Sequence, residues 1–190
     1  DIDWSKVVAF HLDEYIGIDE SHPASFIKYL KERFVNKVSL KKFYFVDPKE
    51  GVLDCIRKLT HEITESKIDL GLIGIGVNGH IAFNDPPADF TTEESYHIVH
   101  LDQTCRLQQM GEGWFETLDD VPKQAISMTV HQILKCNKII SAVPYKVKAE
   151  AISNLYYASA ANPMLPASAF LNHSNVEIYL DEDSASLIEV

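Results

Sequence analysis

A polar cluster follows an apolar run near the middle of the chain. Leu72–Pro86 reads LIGIGVNGHIAFNDP, and it carries Asn78, His80, Asn84 and Asp85 directly after the run. Binding groups concentrate in loops beyond the ends of strands. A histidine can give and take protons near neutral pH when a partner fixes its tautomer. His80 with Asp85 therefore predicts a proton-transfer pair, and a Gly-rich turn without chemistry is the alternative.

The same stretch spells G-x-G-x-x-G, ending at Gly79, which is the spacing of dinucleotide-binding loops. In those loops the third glycine opens a helix whose amides bind the pyrophosphate. Pro86 would break such a helix after two turns, and residues 88–97 show no apolar stripe for a crossover helix. Only Asp102, near the position of a ribose-binding acid, favours a dinucleotide. We predict no dinucleotide cofactor.

Two further residues stand where predicted strands end. Asp13 follows the apolar run VVAFHL, and a carboxylate held there could move protons bound to carbon. Glu14 should point to the opposite side of the strand. Lys148 follows IISAVP in the first turn of a predicted helix, where backbone amides and the helix dipole favour anions. It predicts an anion site, with a solvated surface lysine like Lys146 as the alternative.

Strand-like and helix-like segments alternate along the chain. The predicted strands are Val7–Asp13, Phe43–Asp47, Ile68–Gly76, His97–Asp102, Lys138–Pro144 and Val176–Asp181. Apolar residues at helical spacing predict helices around Phe26–Phe34, Val52–Ile63 and Val147–Leu155. Several strands are apolar throughout, as in parallel sheets buried on both faces. The pattern predicts one α/β domain with a mostly parallel sheet and helices on both faces.

The composition restricts the class of partner. Twenty-eight acidic residues against 17 Lys and Arg give a formal net charge of −11, which disfavours nucleic acids and anionic membranes. Three scattered cysteines with no C-x-x-C pair favour a reducing compartment and argue against a zinc site. We see neither a signal peptide nor an apolar run of the ~20 residues that span a bilayer. We expect a cytoplasmic protein that handles small metabolites, with a homo-oligomer among the states the sequence allows.

Two long motifs resemble those of the glucosamine-6-phosphate deaminase/isomerase family. GIGVNGHIAFNDP is similar to the family pattern G-x-G-x-D-G-H-I-A-F-N-E-P, and FHLDEYIGIDESHPASF is similar to its D-E-Y-x-G and H-P-x-S segments. VPKQAISMTV and the lysine after IISAVPYKVK match later segments in the same order. The related 6-phosphogluconolactonases share the G-H dipeptide but continue differently. The resemblance implies a modified Rossmann-like fold.

The resemblance also implies a reaction and a set of roles. Family members convert a 2-amino-2-deoxyhexose 6-phosphate to fructose 6-phosphate and ammonia without a metal or organic cofactor. Asp13 matches the carboxylate that moves a proton between C1 and C2, and His80 matches the ring-opening acid/base. Asp85 matches a glutamate that supports the histidine, and Asn78 matches an aspartate. Lys148 matches the lysine that binds the 6-phosphate.

The resemblance also implies roles for the loop glycines and Arg106, and this sequence differs from the family pattern at several positions. The glycines, including Gly79, would bring backbone close to the sugar, and Arg106 would replace a phosphate-binding arginine that is Gly113 here. Asn78 cannot stabilise an imidazolium by charge, and Asp85 is one methylene shorter than glutamate. The family's Ser/Thr-Gly-rich phosphate loop has no counterpart within residues 1–190, so we expect this domain to lack that N-terminal segment. A galacto substrate, a lactonase-type hydrolase and a sugar-phosphate sensor with lost catalysis remain open alternatives.

Overall fold

The computed structural model describes residues 2–101, 103–111 and 113–189, so Asp102 lies outside the described residues. The strands are β1 (Val8–Phe10), β2 (Asp13–Tyr15), β3 (Lys42–Tyr44), β4 (Leu70–Leu72), β5 (Tyr96–His100), β6 (Gln124–Met128), β7 (Lys138–Val143) and β8 (Val176–Leu180). The α-helices are α1 (Phe26–Arg33), α2 (Val52–Thr64), α3 (Gln103–Gly111), α4 (Val130–Ile133) and α5 (Ala149–Tyr156). None of the helices in the described residues has the length and apolar character needed to span a bilayer.

The described residues form two compact units. Unit 1 comprises the described parts of Asp1–Ile63 and Tyr96–Ser127, and unit 2 those of Thr64–Ser95 and Met128–Val190. In unit 1, β1 pairs with β3 in parallel, and a second sheet has the order β2–β6–β5, with β2 antiparallel to β6. In unit 2, β7 lies between β4 and β8, and both pairings are parallel.

The helix α2 shows how the apolar pattern positions an element. Its buried side chains Cys55, Leu59 and Ile63 recur every four residues, so they form one stripe along the helix. Gly51 precedes the helix with φ +122°, a value that L side chains rarely adopt, and its carbonyl accepts the Cys55 N–H at 2.9 Å. The predicted helix Val52–Ile63 is confirmed within one residue of its end.

The predicted α/β class with largely parallel pairing is confirmed, although several strand bounds differ and β6 was not among the predicted strands. The predicted strand Val7–Asp13 is broken at His11, where its N–H donates to Tyr44 O at 2.9 Å and its carbonyl accepts the Tyr96 hydroxyl at 2.8 Å. Asp13 therefore begins β2 rather than ending β1.

The sheet of unit 2 has one buried and one exposed face. Ile139, Ser141 and Val143 are almost inaccessible, whereas Leu70, Leu72 and Tyr179 on the other face are 46%, 68% and 57% exposed. Within the described part of unit 2, the two faces of this sheet therefore differ in their exposure.

Candidate active site

The polar cluster lies on a tight loop that follows β4. Residues 73–95, all of them described, contain no helix, so the helical amides that bind a pyrophosphate are not formed after Gly79. The Gly76 N–H donates to His80 O at 2.8 Å, and the Gly79 N–H donates to Gly76 O at 3.0 Å. Gly79 has φ +83°, which favours glycine at this position. The loop turns back on itself and presents His80.

His80 is held by the two neighbours that the sequence predicted. Its Nδ1 lies 2.8 Å from Asn78 Oδ1 and 3.2 Å from Asp85 Oδ1. Asn78 Nδ2 donates to the same Asp85 oxygen at 3.0 Å, and this fixes the orientation of the amide. Both atoms that face Nδ1 are acceptors, so the neutral imidazole carries its proton on Nδ1. Nε2 is then the nitrogen that can accept a proton.

Partial burial strengthens these contacts. The side chains of His80 and Asp85 are only 14% and 11% exposed, and electrostatic interactions are stronger where water is excluded. The Asn78 amide also accepts the His80 backbone N–H at 3.0 Å. Asn78 thus orients the histidine through two hydrogen bonds. A neutral side chain can do this without the charge that an aspartate would supply.

Asn84 supports the loop through hydrogen bonds made by its buried side chain. It is 3% exposed, and its Nδ2 donates to Ile81 O and to Met128 O, each at 2.8 Å. These bonds tie the loop to Met128, which lies in the same unit. The polar run in the sequence pointed to Asn84, and its structural role is found only in the three-dimensional arrangement.

A second segment, far away in the sequence, also holds the loop. Ala167 N–H donates to Gly79 O at 2.8 Å, and a Cβ at Gly79 would lie 2.4 Å from Leu165 Cδ1. Ala88 N–H donates to Pro163 O at 2.9 Å. No pattern in the sequence signals this contact between segments about 80 residues apart.

A cavity of about 490 Å³ adjoins Asn78 within unit 2. Its polar lining consists of the Glu150 carboxylate and the amides of Asn78, Asn154 and Asn162. The lining contains no cation, so the cavity suits hydroxyl or amine groups better than a phosphate.

Asp13, in unit 1, has the electrostatic setting of a base. It pairs with Ser127 at the start of β2 and is half-buried. Removal of the carboxyl group from water, and secondarily the repulsion from Glu14, raise the pKa of Asp13 to about 7. Such a group titrates in the range where a general base works best.

Glu14, the neighbouring carboxylate, has a structural setting instead. It is 2% exposed, and its Oε2 accepts hydrogen bonds from Ser25 Oγ at 2.8 Å and from Ile27 N–H at 2.9 Å. Its Oε1 accepts the Tyr15 N–H at 2.9 Å. Burial raises the pKa of Glu14, and these hydrogen bonds oppose that shift. Glu14 therefore anchors the first turn of α1.

We expect Glu14→Gln to lower the free energy of unfolding by roughly 1–3 kcal/mol, because the amide leaves at least one buried donor unsatisfied. Urea unfolding followed by circular dichroism measures the change. Glu20→Gln, at a partly exposed ion pair with Lys31, should cost less than about 1 kcal/mol. Equal losses in the two variants would contradict the anchoring role.

The two predicted phosphate-binding side chains have different surroundings. Lys148, in unit 2, ends the 3₁₀ turn Lys146–Lys148 and directly precedes α5, where we expected it. Arg106, in unit 1, donates from Nε to Val121 O at 3.2 Å and from Nη2 to Leu118 O. These bonds tie α3 to the following turn, so part of the guanidinium has a structural use, and its role in phosphate binding stays a prediction.

In the described residues, His, Cys, Asp and Glu side chains form no group of three that could hold a metal ion.

The family model described as glucosamine-6-phosphate isomerases/6-phosphogluconolactonase matches residues 1–179. The chain belongs to this family. The resemblance seen in the motifs is therefore confirmed.

Within the glucosamine-6-phosphate isomerase/6-phosphogluconolactonase family, similar curated proteins are deaminases. The chain is 36% identical over 192 residues to glucosamine-6-phosphate deaminase of Thermoanaerobacter sp. (strain X514), covering 99% of this chain and 74% of the relative. It is 34% identical over 193 residues to glucosamine-6-phosphate deaminase of Streptococcus pneumoniae (strain Hungary19A-6), covering 100% of this chain and 79% of the relative.

Solved structures give the same family fold. A monomeric glucosamine-6-phosphate deaminase superposes with a TM-score of 0.82 at 30% identity, over 94% of this chain and 73% of that chain. The 6-phosphogluconolactonase of Thermotoga maritima gives a TM-score of 0.74 at 14% identity, over 95% of this chain and 74% of that chain. At that identity, the second likeness concerns the fold alone.

Proposed function

We propose that the protein is a glucosamine-6-phosphate deaminase, which converts glucosamine 6-phosphate and water to fructose 6-phosphate and ammonia. The observation that carries the proposal is the 34–36% identity to deaminases across at least 99% of this chain. The similar 6-phosphogluconolactonase structures are only 13–19% identical and share the fold alone, so they support a lactonase reaction less than the deaminase relatives support deamination. The sugar phosphate is the partner that the family implies.

Ring opening is the step that suits His80. The pyranose ring opens when a proton reaches the ring oxygen and another leaves the anomeric hydroxyl. With its Nδ1 proton held by Asn78 and Asp85, the imidazole has Nε2 for accepting the hydroxyl proton and returning it. Asp85 then stabilises the imidazolium through its negative charge.

Proton movement between C1 and C2 suits Asp13. An aldose becomes a ketose when a base removes the carbon-bound proton at C2 and delivers a proton to C1. A carboxylate whose pKa lies near 7 is a stronger base than an ordinary aspartate and can hold the proton between the two transfers. Hydrolysis of the resulting C2 imine releases ammonia.

The direct test is ammonia release from glucosamine 6-phosphate by the full chain, with galactosamine 6-phosphate and 6-phosphogluconolactone as parallel substrates. We expect ammonia from the gluco compound and fructose 6-phosphate in equal amount. Hydrolysis of the lactone alone would refute the deaminase. Tight binding of the sugar phosphate with no turnover would instead support a sensor.

For the phosphate we propose Lys148, which stands at the start of α5 where an anion is favoured. Lys148→Ala should raise KM for glucosamine 6-phosphate by about 10-fold or more and change kcat little, because a charge-assisted contact contributes about 1.5–3 kcal/mol. Steady-state kinetics measure both constants. Lys146→Ala, two residues away and exposed, is the matched control and should behave like the wild type.

A cytoplasmic location extends the proposal, and a homo-oligomer is one of the states that it allows. A phosphorylated metabolite is a substrate expected inside the cell, and the scattered cysteines agree with a reducing compartment. Sedimentation velocity tests whether the chain forms an oligomer.

A further inference from the structure

Gly76, the second glycine of G-x-G-x-x-G, lies against the face of the His80 imidazole. A Cβ at this position would be 2.1 Å from Cε1 and 2.3 Å from both Nδ1 and Nε2 of the ring. Real Cβ atoms essentially never approach heavy atoms closer than 3.0 Å. The ring therefore occupies the space of the missing side chain.

The backbone of Gly76 does not itself require glycine. Its φ is outside the positive range that L side chains rarely adopt, unlike the φ of +83° at Gly79. Conformational freedom therefore does not explain the residue. The steric reason at this buried position is the imidazole.

The contacts of the ring divide into two kinds. Asn78 and Asp85 hold one edge through Nδ1, at 2.8 and 3.2 Å, and this sets the rotation of the ring in its own plane. Contact with Gly76 sets the plane itself. The Gly76 N–H also donates to His80 O at 2.8 Å, so a backbone hydrogen bond joins Gly76 to the residue whose ring packs on it.

We propose that Gly76 is a positioning residue for His80. Because Gly76 has no Cβ, the imidazole packs directly against its backbone, and we call this contact surface the seat. The contact keeps Nδ1 on Asn78 and Asp85 and directs Nε2 to the substrate. The expected effect of Gly76 on kcat rests on the proposed function, whereas its packing contact with the His80 ring does not. The glycine therefore serves the proton-transfer site rather than close approach of a nucleotide or sugar.

A double-mutant cycle tests the seat without reference to activity. Gly76→Ala should lower the melting temperature by several degrees in the His80 background, because the methyl group collides with the ring. In the His80→Ala background the same substitution should cost nothing or raise the melting temperature, since alanine also restricts the unfolded chain. Equal effects in both backgrounds would overturn the proposal.

Catalysis and histidine NMR provide the second measurement. Gly76→Ala should lower kcat by about 10- to 100-fold with KM within about twofold, because small misplacements of an acid/base group are costly. Gly111→Ala, at the end of α3, is the matched control, since a Cβ there meets nothing within 4 Å. In ¹⁵N spectra, Gly76→Ala should move the ring proton away from its Nδ1 position. Wild-type kcat with an unchanged ¹⁵N pattern would refute the proposal, and if no variant deaminates, the ¹⁵N pattern and the cycle still decide it.

Discussion

Asp13→Asn should lower kcat for ammonia release by a factor of about 10²–10⁴, with KM changed by less than about threefold. The amide has nearly the size of the carboxyl group but cannot accept the C2 proton. Incubation with glucosamine 6-phosphate in D₂O, followed by mass spectrometry, should show no solvent deuterium in recovered sugar. In the wild type the Glu14 carboxylate is bonded to Ser25 and Ile27 at the start of α1. Glu14→Gln should therefore still incorporate solvent deuterium into the sugar under conditions in which the variant is folded. Normal turnover in Asp13→Asn would refute the role of Asp13.

The same variant has an opposite effect on stability. Because the pKa of Asp13 is raised from 3.8 to about 7 by folding, the native state keeps a proton that the unfolded state loses between these pH values. The free energy of unfolding therefore falls by up to about 1.4 kcal/mol for each pH unit from 4 to 7. Asp13→Asn removes this slope, so it should be more stable than the wild type above pH 7.

Activity of the wild type should fall as the pH drops below about 7, because the base becomes protonated.

His80→Ala should lower kcat by a factor of about 10²–10⁴, because the ring-opening step loses its acid/base. The variant leaves a space beside Gly76, and added imidazole should restore part of the rate in proportion to its concentration. His61→Ala, at an exposed position on α2, is the control and should neither lose activity nor respond to imidazole. A His80→Ala enzyme with more than half of the wild-type kcat would contradict the assignment.

Local patterns located some regular elements closely, missed β6, and predicted the breaks between elements poorly. The apolar spacing located α2 and the central strand β7 within about one residue, because burial of a stripe or a strand leaves a periodic signal. Val7–Asp13 is also an apolar strand-like run, yet β1 ends at Phe10 and β2 begins only at Asp13. At the break the His11 carbonyl accepts the Tyr96 hydroxyl, and from Asp13 onward the chain pairs with β6. Neighbouring residues in the sequence carry no information about these distant partners.

The candidate site shows the same division. His80, Asn78 and Asp85 are close in sequence, and a tight loop was enough to bring them together. The support from Leu165 and Ala167 was not predicted, because an ordinary leucine and alanine reveal nothing of a partner about 80 residues away. The pKa of Asp13 likewise depends on burial that only the folded chain creates.

The closed loop from Gly76 to His80 has a consequence for natural variation. Two backbone bonds, Gly76 N–H to His80 O and Gly79 N–H to Gly76 O, fix the number of residues between the seat and the ring. An insertion or deletion within residues 77–79 would carry the imidazole off Gly76, whereas half-buried Val77 could be exchanged for another residue at the same length. Loop length, together with Asn78 and Gly79, should therefore separate related chains that keep this histidine in working position from those that have lost it.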